Sequence, residues 1–296
     1  MKSQKILLTG LNGQVGHTLL PKLSNFEVLG LSRHELDLTN VDEIRRVLRE
    51  IKPSLIINPA AYTAVDKAES EAGLAFAINA IAPQIFAEEA DKLGAALIHF
   101  STDYVYDGKK SAPYVETDAS NPMSVYAKSK LAGEEAIRAV GLPHLILRTS
   151  WVYGAYGKNF LKTILRLAGE RDSLRIVADQ LGAPTSSDCI ADAVVELIEN
   201  WQPAQESQSG TYHLTNTGFT SWYGFACEIV NEYNKLGIEP ALKTRVENIA
   251  AITTADYPTP AARPTNSRLS NSKLKQTFDI ELPTWQQGLK HVMQVL

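Results

Sequence analysis

"KILLTGLNGQVGHTLL", residues 5–20, holds a short apolar run, three glycines and an apolar stretch of helical period, in that order. Lys5–Thr9 has the length and composition of a buried strand. Gly10, Gly13 and Gly16 follow as G-x-x-G-x-x-G, and Val15, Leu19, Leu20 and Leu23 then line one helical face. Glycines let a backbone turn tightly and approach a pyrophosphate, which rests on the N–H groups at the helix start. The spacing departs from the strict G-x-G-x-x-G fingerprint. With a strand before it and a helix after it, a dinucleotide-binding turn is the better reading.

Working outward, the compact apolar runs Glu27–Leu31, Leu55–Asn58, 96–101 and His144–Thr149 alternate with amphipathic stretches such as Val41–Ile51 and 74–93. Unbroken apolar strands separated by helices predict a parallel sheet covered on both faces. The fold class is α/β, a doubly wound parallel sheet of Rossmann type, which binds ligands at the carboxyl ends of its strands. After Trp151 the pattern loosens: 159–169, 188–201 and 221–236 read as helices and 212–215 as a strand. The segment 256–268, with three prolines and no period, reads as a binding or linking loop. Residues 1–150 are expected to bind NAD(P). Residues 151–296 are expected to form mainly a smaller substrate-binding lobe, with segments returning to the first domain.

Composition narrows the function classes. At 296 residues, 44% hydrophobic and 21% charged, the chain has an ordinary globular make-up. Its net charge of −4 offers no footprint for nucleic acid or an acidic membrane. No run approaches the ~18 apolar residues of a membrane helix, and the start is too short for a signal peptide. Cys189 and Cys227 form no CxxC pair, so neither a disulfide framework nor a zinc site is expected. The expected location is cytoplasmic.

Three further features carry chemistry. The second strand ends at Leu31-Ser32-Arg33, where an acid would favour NAD; Ser32 and Arg33 instead suit a 2′-phosphate, so NADPH is expected, with NADH the alternative. In "SVYAKSK", residues 124–130, Tyr126 and Lys130 are four apart and share a helical face. An ammonium near a phenol favours the phenolate, which fits the pair for proton exchange with a carbonyl or alcohol. Ser101, Thr102 and Asp103 end the fourth strand at the cofactor edge, where a hydroxyl can bond the oxygen that the tyrosine protonates.

Together these residues resemble the extended short-chain dehydrogenase/reductase family, and within it the sugar-nucleotide reductases. The resemblance runs nearly end to end: "GLNGQVG", "NPAAYTAVDKAESE" (58–71), "STDYVYDG", "VYAKSKLAGE", "RTSWVYG" (148–154), "NFLKTILRLA" (159–168), "DQLGAPT" (179–185) and "YPTPAARPTNSRL" (257–269). It implies that Gly13, Gln14 and Val15 lie along the cofactor pyrophosphate and Ser32 near the adenosine ribose. Asp37 and Leu38 are implied to border the adenine, and Ala61, Tyr62 and Thr63 to line the cofactor. Thr102, Tyr126 and Lys130 become the catalytic set, with Tyr126 the general acid. Thr102, Asp103, Tyr104 and Trp151 become sugar contacts. Asn159, Gln180 and Arg263 are candidates for the nucleotide part, and Arg263 suits its pyrophosphate.

The implied reaction is reduction of the C4 ketone of a dTDP-linked 4-keto-6-deoxyhexose. The alternatives are another sugar-nucleotide reductase or epimerase, or a non-catalytic NADP-binding regulatory subunit. Some family members hold magnesium at a dimer contact through an acid on the first helix; His17 and Thr18 stand there, which puts magnesium in doubt, and no metal is expected. A homodimer is the default assembly.

Overall fold

The computed structural model describes residues 5–237 and 239–296. Its first half alternates strand and helix: β1 (Lys5–Thr9), α1 (Gln14–Lys22), β2 (Glu27–Leu31), α2 (Val41–Ile51), β3 (Leu55–Asn58), α3 (Val65–Ala68), α4 (Ala72–Phe76), α5 (Ala82–Leu93), β4 (Ala96–Thr102), α6 (Val125–Val140) and β5 (His144–Thr149). The second half adds β6 (Val152–Tyr153), α7 (Phe160–Glu170), β7 (Leu174–Val177), β8 (Leu181–Gly182), β9 (Thr185–Ser186), α8 (Ser187–Asn200), β10 (Gly210–His213), β11 (Thr220–Ser221), α9 (Trp222–Leu236), β12 (Ile249–Ile252), α10 (Ser272–Phe278) and α11 (Trp285–Met293). No helix among the described residues is long and apolar enough to cross a membrane.

Six strands form one parallel sheet in the order β10-β5-β4-β3-β1-β2. Side chains alternate across it, because successive residues of a strand face opposite sides. Ile6 and Leu8 join Ile57, Ile98 and Leu147 beneath α1 and α8, while Leu7, Ile56, Leu97 and Ile146 meet α2 and α5 on the other face. From β1 the chain runs first to one edge through β2 and then to the other through β3, which opens a crevice at their carboxyl ends. Residues after Trp151 return to this sheet as α8, α10 and β10. A separate core of Tyr153, Leu161, Ile164, Phe225, Ile229, Trp285 and Leu289 joins α7, α9 and α11.

Two local features go beyond periodicity. The stretch 74–93 is not one regular helix: a π turn, Ala77–Ile81, separates α4 from α5. There the Asn79 side chain accepts from Tyr62 N–H (2.8 Å) and donates to Tyr62 C=O (3.0 Å) and Ser129 Oγ (3.0 Å). Gly133 of α6 passes so close that a Cβ on it would lie 2.1 Å from Asn79 O. The helix expected from 159 begins one residue later because Asn159 caps it, its Oδ1 accepting from Lys162 N–H at 3.0 Å.

Candidate active site

The glycine turn closes tightly on itself. Gly10 has φ +65°, and a Cβ on Gly16 would lie 2.3 Å from Gly10 O. Gly13 caps α1 without a side chain and the first turn of α1 holds no acid, so its N–H groups and positive dipole end are left for an anion. A cleft of ≈ 550 Å³ runs from this turn along the carboxyl ends of the strands. Every residue assigned to the cofactor in the sequence lines it: Gly10, Gly13, Gln14, Val15, Gly16, Ser32, Arg33, Asp37, Leu38, Ala61, Tyr62, Thr63, Tyr126 and Lys130. At one end Asp37 Oδ1 accepts from the N–H and the hydroxyl of Thr39 (both 2.9 Å), which hold its carboxyl below the usual range. Arg33 beside it is exposed and has no carboxylate within 4.0 Å among the described residues. A glycine cradle at an uncapped helix start, a long cleft and a free guanidinium at its end fit a phosphorylated dinucleotide.

Tyr126 and Lys130 rise from the start of α6. That start is built by Ser124 Oγ, which accepts from Ala127 N–H (3.2 Å), and by Glu69 Oε1, which accepts from Val125 N–H (2.9 Å). Lys130 is only 2% exposed; its Nζ donates to Phe100 O at 2.6 Å and lies 3.3 Å from His99 Nε2. Burial lowers its pKa to about 8, against the pull of Glu134. The Tyr126 phenol is pushed up to about 12, chiefly by burial and also by the Asp103 charge, while the Thr102 hydroxyl works the other way. The expectation that Lys130 lowers this pKa is therefore not met here: the ammonium is committed to Phe100 O, and desolvation dominates the phenol. Tyr126 is held protonated at neutral pH, the state that a proton donor requires.

Strand alternation explains the hydroxyl beside it. The Ser101 side chain turns inward, where Oγ donates to Glu134 Oε1 (2.5 Å), and Glu134 is also gripped by Arg148 Nε (2.9 Å) and Nη2 (2.6 Å). Ser101 is thus committed to the interior. Thr102, the next residue, donates from Oγ1 to Asp103 Oδ1 (3.1 Å) and accepts from Tyr104 N–H (3.2 Å). Asp103 also accepts from Ser150 Oγ (2.9 Å), and burial pushes its carboxyl up to about 6. The Tyr104 ring stands edge-on to Tyr126, centroids 6.3 Å apart.

The residues assigned to substrate lie outside the cofactor cleft. Arg263 pairs with Asp66 at 2.8 Å and sits near the Tyr104 phenol. Trp151 adopts the left-handed φ of +46°, and its indole stacks on Trp222 with centroids 3.5 Å apart. Gly182 lies against that indole, where a Cβ would come within 2.5 Å. Asn159 donates to Gln14 Oε1 (2.9 Å) and Gly154 O (2.8 Å), and Gln180 donates to Thr254 Oγ1 (3.1 Å). Sequence reasoning passed over His99, which contacts Lys130 and, through Asn58, reaches Thr9 (3.1 and 2.7 Å). It also passed over Lys158, which lines the cleft from beyond the first 150 residues. Its place just ahead of Asn159 carried no motif.

The donors on α1 and α8 do not fit magnesium. His17 stacks on Tyr156, Thr18 Oγ1 bonds Gln14 O (2.9 Å) and Ser187 Oγ (3.0 Å), and Asp192 pairs with Lys22. Asp188 is left as a single carboxylate, with no metal-binding group of three around it among the described residues. An octahedral oxygen site needs carboxylates free of such partners.

Comparison with known proteins agrees with this geometry. The family model described as the RmlD substrate binding domain matches residues 4–296. A dTDP-4-dehydrorhamnose reductase of Burkholderia thailandensis is 46% identical over 285 residues, covering 95% of each chain. One from Escherichia coli strain K12 is 43% identical, covering 98% of this chain and 97% of its own. The structure of the dTDP-4-dehydrorhamnose reductase of Bacillus anthracis in complex with NADP superposes with a TM-score of 0.91 at 36% identity, covering 100% of both chains.

Proposed function

The chain belongs to the RmlD substrate binding domain family, and from that premise we propose that it reduces the C4 ketone of dTDP-4-dehydro-L-rhamnose to give dTDP-L-rhamnose. It is an oxidoreductase that uses NADPH, and its substrate is a sugar nucleotide. The observation that carries the reading is a protonated Tyr126 that lines the cofactor cleft and has the Thr102 hydroxyl within hydrogen-bond reach of its phenol.

NADPH, when bound, supplies the hydride for C4. The chain's own residues deal with the oxygen. Tyr126 gives its proton to the C4 oxygen as negative charge gathers there, an alkoxide being more basic than a phenolate. Thr102 donates a second hydrogen bond to that oxygen, for which its hydroxyl turns from Asp103 Oδ1. Lys130, fixed by Phe100 O, orients the cofactor ribose and supplies positive charge as the phenolate forms. Tyr104, Asp103 and Trp151 bound the sugar; Arg263 leaves Asp66 to take the substrate pyrophosphate, with Asn159 and Gln180 shaping the nucleotide end.

Residues 1–150, with the returning α8, β10 and α10, form the cofactor domain, and the elements packed around α7, α9 and α11 form the substrate lobe, a division supported by the separate core of the latter. The protein works in the cytoplasm as a homodimer, without nucleic acid or membrane partners, consistent with its net charge of −4. The test is to supply the ketone generated in situ with NADPH and identify the product. Stoichiometric NADPH loss with dTDP-L-rhamnose formed is expected. NADPH binding without turnover points instead to a regulatory subunit or another sugar nucleotide.

A further inference from the structure

Gln14, the first residue of α1, is gripped by the segment that follows β5. Its Nε2 donates to Val152 O (3.3 Å), and its Oε1 accepts from Asn159 Nδ2 (2.9 Å), which also reaches Gly154 O (2.8 Å). Between these anchors the chain turns through Gly157, φ +76°, so close that a Cβ would lie 3.2 Å from Gln14 Cγ. Segment 152–159 is thus fixed across the start of α1. Lys158 stands within it and lines the same cleft as Gly13 and Val15.

The charges around Lys158 are unbalanced. It has no carboxylate within 4.0 Å among the described residues, and the first turn of α1 has no acid. The cleft therefore presents the uncapped N–H groups of α1 and an ammonium, with no carboxylate paired to that ammonium among the described residues. We propose that Lys158 binds the diphosphate of the cofactor, so that the second half of the chain completes a site otherwise built by the first. The assignment rests on the reading of this cleft as the NADPH site. A point charge on a flexible stem suits a diphosphate that NADPH and NADH share. Arg33 lines the cleft beside Asp37, after β2, where on this reading only NADPH carries a phosphate.

The two cations therefore separate by experiment. NADPH and NADH are titrated into wild type, Lys158→Ala, Lys158→Arg and Arg33→Ala, followed by tryptophan fluorescence. Lys158→Ala should weaken both cofactors alike, by about 10-fold, as expected for one charge-assisted hydrogen bond. Lys158→Arg should restore most of the binding, and Arg33→Ala should weaken NADPH alone. Unchanged affinity for both cofactors in Lys158→Ala overturns the assignment, and so does a loss confined to NADPH. A wild type that binds neither cofactor sinks the reductase reading and this assignment with it.

Discussion

Gly16→Ala places one methyl group where the cofactor turn has no room. The new Cβ would lie 2.3 Å from Gly10 O and 2.8 Å from Gly10 C, both backbone atoms that no rotamer change can move. Relief requires the turn to open by about 1 Å, a strain on the order of 1–3 kcal/mol for overpacking at a tight site. On the proposed reading the displaced atoms belong to the turn that holds the diphosphate, so the larger effect is expected on binding. Losing one or two well-placed N–H bonds should raise the NADPH Kd by roughly 10- to 100-fold. Gly169→Ala is the internal control: that glycine lies in α7 and a Cβ on it meets nothing within 4 Å. It should leave NADPH binding unchanged and add up to about 1 kcal/mol of helix stability. Fluorescence titration and thermal melts of both variants give the two readouts. A Gly16→Ala protein that binds NADPH within about twofold of wild type would refute the assignment of this turn to the cofactor.

The buried pair beneath β4 predicts a large stability effect. Glu134 is fully buried against Arg148, so Glu134→Gln leaves an uncompensated guanidinium and should cost about 3–5 kcal/mol in denaturant unfolding; a loss below about 1 kcal/mol would mean that the pair is not formed. Asp103 predicts a pH dependence with a definite sign. Burial raises its folded pKa from 3.8 to about 6, so its contribution to stability is fully present below the lower value and is lost as pH rises through the higher. Asp103→Asn should therefore gain on wild type by roughly 2–3 kcal/mol between about pH 4 and pH 6, and parallel stability–pH curves would contradict this.

Much of this site is local chemistry, and local chemistry is what a single sequence displays. The turn at Gly10–Gly13–Gly16 is readable because only glycine tolerates its contacts, and Tyr126 and Lys130 because helical spacing alone puts them on one face. The parallel sheet follows from five apolar runs too uniform to leave a face in water. The rest depends on partners distant in the chain. Nothing near Ser101 signals Glu134, nothing near Trp151 signals Trp222, and the grip of Asn159 on Gln14 joins residues far apart in the chain. The phenol of Tyr126 shows the same limit. A lysine four residues away suggests a lowered pKa, yet the burial that raises it comes from the whole fold.

The most direct test of the account is Tyr126→Phe, measured for both NADPH binding and ketone reduction. If the phenol is the proposed proton donor while its ring only lines the cleft, the variant binds NADPH within about threefold of wild type while kcat falls by roughly 10²- to 10⁴-fold. A variant that keeps near-normal kcat would place the proton donor elsewhere and contradict the mechanism.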